Sequence, residues 1–173
     1  MKNTDNNLSV KYRKETIIIH WVSAVLLITL FILGKYMEGL PSTEKLGLLK
    51  VHIILGTLVF TLTIIRGIFL FIHRTPKLDT GYRWNNLLIT LIHYGFYVVI
   101  LGISVTGIML SYKGGFLEAV FQNDSGFITH KSGGMLKAHA VLSGFMILLL
   151  ILHILGIIKH IILTKENAFK RII

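Results

Sequence analysis

The residues from Lys137 to Leu163 read KAHAVLSGFMILLLILHILGIIKHIIL. Between Lys137 and Lys159 this stretch contains no Lys, Arg, Asp or Glu. It is long enough for a helix to cross the hydrocarbon core of a bilayer, which takes about 20 residues. It nevertheless carries two histidines, His139 and His153. The stretch therefore predicts a membrane-spanning helix that holds polar rings within an apolar length.

Three further stretches share this length and apolar character. Together with the first, they predict an all-α integral membrane four-helix bundle. The predicted spans are Thr16–Gly34, Leu46–Ile72, Leu87–Tyr112 and Lys137–Leu163. We expect one domain over residues 16–163, preceded by a polar cytoplasmic segment over residues 1–15 and followed by a cytoplasmic tail over residues 164–173.

The composition is typical of a protein whose surface faces membrane lipid. Hydrophobic residues make up 53% of the chain and charged residues 15%, whereas a soluble domain carries about 25% charged residues. The lack of cysteine excludes disulfides, thiolate metal sites, iron–sulfur clusters and covalently attached c-type haem. The net charge of +10 does not indicate nucleic-acid binding, because the basic residues flank the spans and form no single patch.

The basic residues also predict the orientation of the bundle. Four spans place both termini on one side, and 12 of the 18 Lys and Arg residues lie on that side, with six on the other. Because the cytoplasmic side of a membrane protein carries the excess of Lys and Arg, we expect both termini in the cytoplasm. The outer connection over residues 113–136 is expected to fold partly onto the membrane surface.

Four histidines are predicted to form two pairs at different depths. His139 and His153 are 14 residues apart, which in a helix gives a rise of ~21 Å and a rotation about 40° short of four turns. They therefore share a face but lie in opposite leaflets. His52 matches the depth of His139 in the outer half, and His20 matches that of His153 in the inner half. Because a strongly polar side chain in a span usually has a partner, we expect His52 to face His139 and His20 to face His153.

Two imidazoles that face each other from different helices suit one kind of cofactor in particular. On opposite sides of a flat iron macrocycle they give six-coordinate haem, which suits electron transfer, whereas a structural zinc site uses four ligands close together. Arg66, 14 residues after His52, is a candidate partner for haem propionates. Gly56, one turn after His52, would leave room for a ring. Helix–helix hydrogen bonds by the histidines and snorkelling by Arg66 remain open alternatives.

The other four histidines carry weaker signals. His73 and His160 are expected at the inner interface, and His130 in a solvated loop. His93 lies in the third span at inner depth and could replace His20 as a ligand, or could bind or protonate a quinone. Its neighbours Phe96 and Tyr97 are interpreted as packing residues.

Seven short pieces of the chain form a pattern in a fixed order. They are IHW at Ile19–Trp21, VHIILG at Val51–Gly56, IIR at Ile64–Arg66, IHYGFYV at Ile92–Val98, TGIM at Thr106–Met109, LKAH at Leu136–His139 and KENAFKR at Lys165–Arg171. In this order and spacing they resemble the prokaryotic cytochrome b561 family, whose wider relatives include the cytochrome b subunits of nickel–iron hydrogenase and formate dehydrogenase.

The resemblance implies a bacterial plasma (inner) membrane protein with two b haems. His20 and His153 would ligate the inner haem iron, and His52 and His139 the outer one. The chain is similar to short, stand-alone members of the superoxide oxidase type, which take electrons from superoxide at the outer face and reduce ubiquinone. Such members carry a tyrosine and a basic residue where Tyr112 and Lys113 stand. The sequence departs from them in having Ala140 in place of an acidic residue and in lacking a proline before Gly107.

Four functions remain open from the sequence. The first is electron carriage between an outer-face donor, such as a periplasmic redox protein, and the membrane quinone pool. The second is its enzymatic form, superoxide:quinone oxidoreduction. The third is an anchor subunit that accepts electrons from a separate dehydrogenase or hydrogenase. The fourth is a non-redox transporter or scaffold whose histidines bind protons or metal.

Overall fold

The computed structural model describes residues 12–41, 43–72, 83–128 and 133–164, which form helices joined by turns, without any strand. The helices are α1 (Lys14–Glu38), α2 (Leu46–Ile72), α3 (Arg83–Lys113), α4 (Phe116–Gln122), a 3₁₀ helix (Ser125–Phe127) and α5 (Gly133–Thr164). Within these ranges α1, α2, α3 and α5 are long and apolar enough to cross a membrane. The prediction of an all-α membrane bundle with four spans is confirmed.

Three of the four long helices extend beyond their predicted spans, whereas α2 coincides with its prediction. The first span was predicted to end at Gly34, but α1 continues to Glu38. In this extra turn the Lys35 ammonium donates to the Glu38 carboxylate over 2.6 Å, a pairing that three-residue spacing permits on a helix. α3 and α5 likewise begin four residues before their predicted spans.

Many hydroxyl groups within the spans are satisfied by the helices that carry them. Because an apolar environment offers no water to a hydroxyl, these groups donate to a carbonyl one turn earlier in their own helix. These hydrogen bonds are 2.8–2.9 Å long. They run from Thr29 to Val25, from Thr57 to Ile53, from Thr61 to Thr57, from Thr63 to Val59, from Thr90 to Asn86 and from Ser104 to Ile100.

The helices pack most closely as three neighbouring pairs, α3 with α5, α1 with α2, and α2 with α3. Between the described residues of α5 and those of α1 or α2, close backbone approach is sparse. The spaces between α5 and these two helices hold the facing histidines described below.

The two ends of the bundle differ. The α4 end is where α1 ends and α2 begins, and the terminal end is where α1 begins and α5 ends. At the α4 end, the short helix α4 lies against α2 and α3. Buried apolar side chains gather there, namely Met37, Leu46, Leu110 and Ala119. The connection over residues 113–136 contains α4 and the 3₁₀ helix, and residues 129–132 lie outside the described ranges. Its expected position on the membrane surface stays a prediction.

A second buried layer lies halfway along the bundle. Val59 in α2 and Met146 in α5 are each only 3% exposed. Many other large apolar side chains are exposed, including Phe71 and Trp84 at 90% and 82%. A soluble protein would bury such side chains, so this surface is suited to contact with lipid hydrocarbon.

Gly115 allows the chain to turn sharply from α3 into α4. Its φ angle is 71°, in the left-handed region that side chains disfavour, and a Cβ atom there would collide with the carbonyl of Phe127. Glycine is therefore required both by the backbone conformation and by the close approach of the 3₁₀ helix.

We expect Gly115→Ala to destabilise the protein, because the left-handed conformation alone costs a residue with a Cβ about 1–2 kcal/mol. The measurement is the thermal unfolding midpoint of the purified protein in detergent. Gly134→Ala is the matched control, since a Cβ at Gly134 would meet no atom within 4 Å. Equal midpoints for the two variants would contradict this reading of the turn.

Candidate functional site

The first pair of facing histidines lies towards the α4 end. His52 comes from the first turns of α2, and His139 from the second turn of α5. Their ring centroids are 6.2 Å apart and their planes are inclined by 64°. Both side chains are half-buried. The structure thus brings together the two histidines that the sequence paired by depth.

The second pair lies towards the terminal end and joins α1 to α5. The ring centroids of His20 and His153 are 6.5 Å apart, with planes inclined by 63°, and both side chains are half-buried. Phe96 of α3 stands edge-on to His153 at 5.8 Å. The two rings therefore face each other as the sequence predicted. α5 supplies one histidine to each of the two pairs.

The separation of the rings fits a metal held between them. Two metal–nitrogen bonds of about 2.0–2.1 Å, extended by the radius of each imidazole, place the centroids about 6.3 Å apart. A hydrogen bond between the two rings would bring them closer than this. Edge-to-face contacts between aromatic rings give similar centroid distances. The residues around the rings are therefore needed to distinguish a metal site from an aromatic contact.

Each pair brings two imidazoles together. Among the described residues, no group of three or more His, Cys, Asp and Glu side chains is placed to hold a metal ion. A tetrahedral zinc site would need four such ligands. A metal that brings four equatorial ligands of its own, as haem iron does, needs only the two axial nitrogens that each pair offers.

Glycines stand beside the histidines of the pair near the α4 end. A Cβ at Gly107 of α3 would lie 3.3 Å from Cε1 of His139, and one at Gly34 of α1 would lie 3.6 Å from Cε1 of His52. At Gly56, one turn after His52, a Cβ would have no atom within 4 Å. The first two glycines allow the histidine rings to lie close to the helices that carry the glycines, and the third leaves open space beside its helix.

The two histidines of this pair differ in their hydrogen bonds. Nδ1 of His139 lies 2.9 Å from Oγ1 of Thr106 in α3. Nδ1 of His52 is buried and has no hydrogen-bond partner among the described residues. Sequence reasoning quoted Thr106 only as part of a motif and assigned it no contact.

Arg66 lies in the half of the bundle that holds His20 and His153. Its guanidinium is 5.9 Å from the centre of the Tyr97 ring. It lies within electrostatic reach of His20 and His153. Tyr97, which the sequence suggested was only a packing residue, therefore orients the arginine, and cation–π contact favours this arrangement.

His93 lies next to the second pair but makes a different contact. Its ring centroid is 5.4 Å from that of His153, and its Nδ1 lies 2.7 Å from the carbonyl of Ile89, which can only accept a hydrogen bond. The proton is therefore on Nδ1, and Nε2 is left as an acceptor. Unlike the four paired histidines, His93 is exposed on the side of the bundle.

A small groove of about 90 Å³ lies along α3 and α5 beside His93. Its walls are apolar apart from two histidines. The lining residues are Ile89, Ile92, His93, Leu152, His153, Gly156 and Ile157. A flat apolar molecule dissolved in the membrane could reach the groove without passing through water.

The remaining residues singled out in the sequence lie away from the pairs or outside the described ranges. Tyr112 is exposed near the end of α3, next to Lys113. His160 is half-buried near the end of α5. His73, His130, residues 1–11 and the closing segment over residues 165–173 lie outside the described part of the chain.

A family model described as prokaryotic cytochrome b561 matches residues 11–173. The match includes all four spans and all four paired histidines. Comparison with curated proteins and with solved structures gave no match. With nearly the whole chain matched, four spans in place and two imidazole pairs inside the bundle, the chain belongs to the prokaryotic cytochrome b561 family of multi-pass bacterial membrane proteins, which use haem b to transfer electrons across the membrane.

Proposed function

We propose that this chain carries electrons between a donor at the α4 end and membrane quinone near the terminal end, through two b haems. His52 and His139 would hold one haem, and His20 and His153 the other. The observation that carries the proposal is the presence of two imidazole pairs, at 6.2 and 6.5 Å, on different helix pairs and at different depths. The family membership supports haem b as the cofactor.

The two-histidine ligand set favours electron transfer over oxygen chemistry. Haem iron that is ligated by an imidazole on each face has no open position for a substrate and exchanges single electrons. The protein's part is to hold the imidazoles, exclude water and neutralise charge. Because the paired histidines come from separate helices, the packing of the bundle fixes the distance between each pair of rings.

Arg66 would neutralise the negative charge that a haem propionate brings into the bundle. An arginine within a span needs an anionic partner or a route to water, and a guanidinium is suited to carboxylates because it can donate two parallel hydrogen bonds. Its contact with Tyr97 and its closeness to His20 and His153 support a role at the haem near the terminal end.

The groove beside His93 is the proposed quinone site. Quinone reduction takes up two electrons and two protons, so a site for it needs both an electron source and a proton donor. His93 stands 5.4 Å from His153 and lines the groove. Because its Nδ1–H is held by the Ile89 carbonyl, His93 would first take up a second proton at Nε2. It would then donate this Nε2–H to a quinone carbonyl and pass the proton to the reduced oxygen, as imidazole can do near neutral pH. This role would leave His20 as the partner of His153.

The positive-inside rule would place the terminal end in the cytoplasm of a bacterium and the chain in its plasma membrane. The quinone groove then lies in the cytoplasmic half of the bilayer. The donor would meet the α4 end from the periplasm.

Superoxide:quinone oxidoreduction is the second candidate function. It is favoured by Tyr112, which is 72% exposed, and by Lys113 at the α4 end, since cationic groups steer an anionic substrate. Two superoxide ions would each give up one electron and leave as oxygen, and one quinone would take both electrons and two protons.

For the ligand assignment, we expect His52→Ala and His139→Ala each to lose one of two haems per chain, because one imidazole cannot complete an axial pair. The measurement is a pyridine haemochrome assay against protein concentration. His93→Leu is the control and should retain two haems. Retention of both haems by His52→Ala and His139→Ala would show that the pairing is wrong, and loss of a haem in His93→Leu would give its ligand role to His93.

For the quinone site, we expect His93→Leu to slow the reoxidation of reduced haem by a soluble quinone about 10²-fold, the lower part of the range for general acid catalysis. The measurement is single-turnover stopped-flow absorbance of the purified protein. Tyr94→Leu is the matched control, because Tyr94 is exposed on the same helix but does not line the groove. Equal rates in the two variants would exclude His93 from quinone reduction.

For the donor, superoxide oxidation predicts rapid haem reduction by superoxide that slows several-fold in Lys113→Gln and becomes less sensitive to salt. Lys159→Gln, a basic residue in the last turns of α5 near the opposite end, is the control. Haem that superoxide does not reduce faster than it dismutates would exclude this function and leave electron carriage from another donor.

A further inference from the structure

Thr106 makes a cross-helix hydrogen bond that links α3 to one of the proposed iron ligands. Its Oγ1 lies 2.9 Å from Nδ1 of His139. The same oxygen lies 2.9 Å from the carbonyl of Gly102 and 2.8 Å from that of Ile103, to which it donates. Among the described residues, it is the one side chain that hydrogen-bonds to a ring nitrogen of the four paired histidines.

These contacts decide which partner supplies the proton. A threonine hydroxyl has a single hydrogen, and here it is directed towards the carbonyls of its own helix. Carbonyl oxygens can only accept, so the hydroxyl is left to accept from His139 with a lone pair. The proton between the two side chains is therefore on Nδ1 of His139, and Nε2 carries the lone pair that a metal requires.

The neighbouring residue restricts the same ring from the side. A Cβ at Gly107 would lie 3.3 Å from Cε1 and 3.7 Å from Nδ1 of His139. The backbone of α3 therefore passes close to the edge of the imidazole while the Thr106 hydroxyl holds its Nδ1. Two adjacent residues of α3 thus set both the position and the tautomer of a histidine that belongs to α5.

We infer that Thr106 is a positioning residue that presents Nε2 of His139 to the haem iron and lowers the reduction potential of the haem near the α4 end. An imidazole whose Nδ1–H is held by an acceptor is a stronger electron donor through Nε2, and it stabilises the oxidised metal relative to the reduced one. The inference rests on the proposed ligand role of His139. The partner histidine of this pair, His52, has no such hydrogen bond among the described residues.

The test replaces the hydroxyl by a methyl group of nearly the same size. In Thr106→Val we expect the midpoint potential of one haem to rise. The equilibrium constant for its reduction should increase about threefold to tenfold, where a tenfold increase corresponds to about 59 mV for one electron. The second haem should keep its potential. The carbonyl of Ile103 also lies near the His139 ring and retains part of the effect, so a larger change is not expected.

Two further variants separate a specific role from a general disturbance of packing. Thr106→Ser keeps the hydroxyl and should restore the wild-type potential. Thr90→Val is the matched control, because Thr90 donates to a carbonyl of the same helix without contacting a paired histidine. The readouts are potentiometric titration of the haem absorbance and the low-temperature electron paramagnetic resonance spectrum of the oxidised protein, which reports the orientation and donor strength of axial imidazoles.

The outcomes distinguish this inference from the proposed function. If wild-type protein binds two haems and Thr106→Val leaves both potentials and both spectra unchanged, the inference fails while the electron-transfer proposal stands. If Thr106→Val loses one haem, restoration by Thr106→Ser supports the inference, and its failure to restore the haem overturns it. Wild-type protein without haem would remove the proposed function itself.

Discussion

The architecture depends on the need of a polar ring in hydrocarbon for a partner. An imidazole that enters an apolar span must exchange its hydrogen bonds to water for a protein group or a metal. In α5 this need arises twice, 14 residues apart on one face. α2 brings a second ring to the level near the α4 end, and α1 brings one to the level near the terminal end. The bundle thus holds α5 close to α3 but spaces it from α1 and α2 by the width of two facing rings.

The levels of the histidines were predictable because helical rise and rotation follow directly from residue numbers. The difference between His139 and His153 fixes both depth and face, and the direction of each span fixes which partner lies at the same height. The four spans were predictable for the same reason, since a long apolar length has few alternatives in a membrane. The one systematic difference was at helix ends, where pairs such as Lys35 and Glu38 extend a helix beyond its apolar part.

Contacts between helices were not predictable from the sequence, because they depend on how far each helix is rotated against its neighbour. Thr106 and Gly107 meet His139 only because of the rotation of α3 relative to α5. Tyr97 contacts Arg66 for a similar reason, through the packing of α3 against α2. A family motif contains Thr106 and Gly107, but a motif does not say which of its residues contact a histidine of another helix. The sequence left open whether His93 is a haem ligand or part of a quinone site. Its exposed position beside the groove favours the quinone site.

The buried layer formed by Val59 and Met146 has a consequence for the energetics of the cell membrane. Val59 lies seven residues after His52 and seven before Arg66. Met146 lies seven residues after His139 and seven before His153. The layer therefore lies between the levels of the two histidine pairs. Thr63, one turn from Val59, is buried as well, and its hydroxyl is engaged by the Val59 carbonyl. If the two sites hold haem as proposed, an electron could tunnel past these packed side chains, whereas a proton would need a continuous file of water. Electron transfer would then leave the ion gradient across the membrane intact.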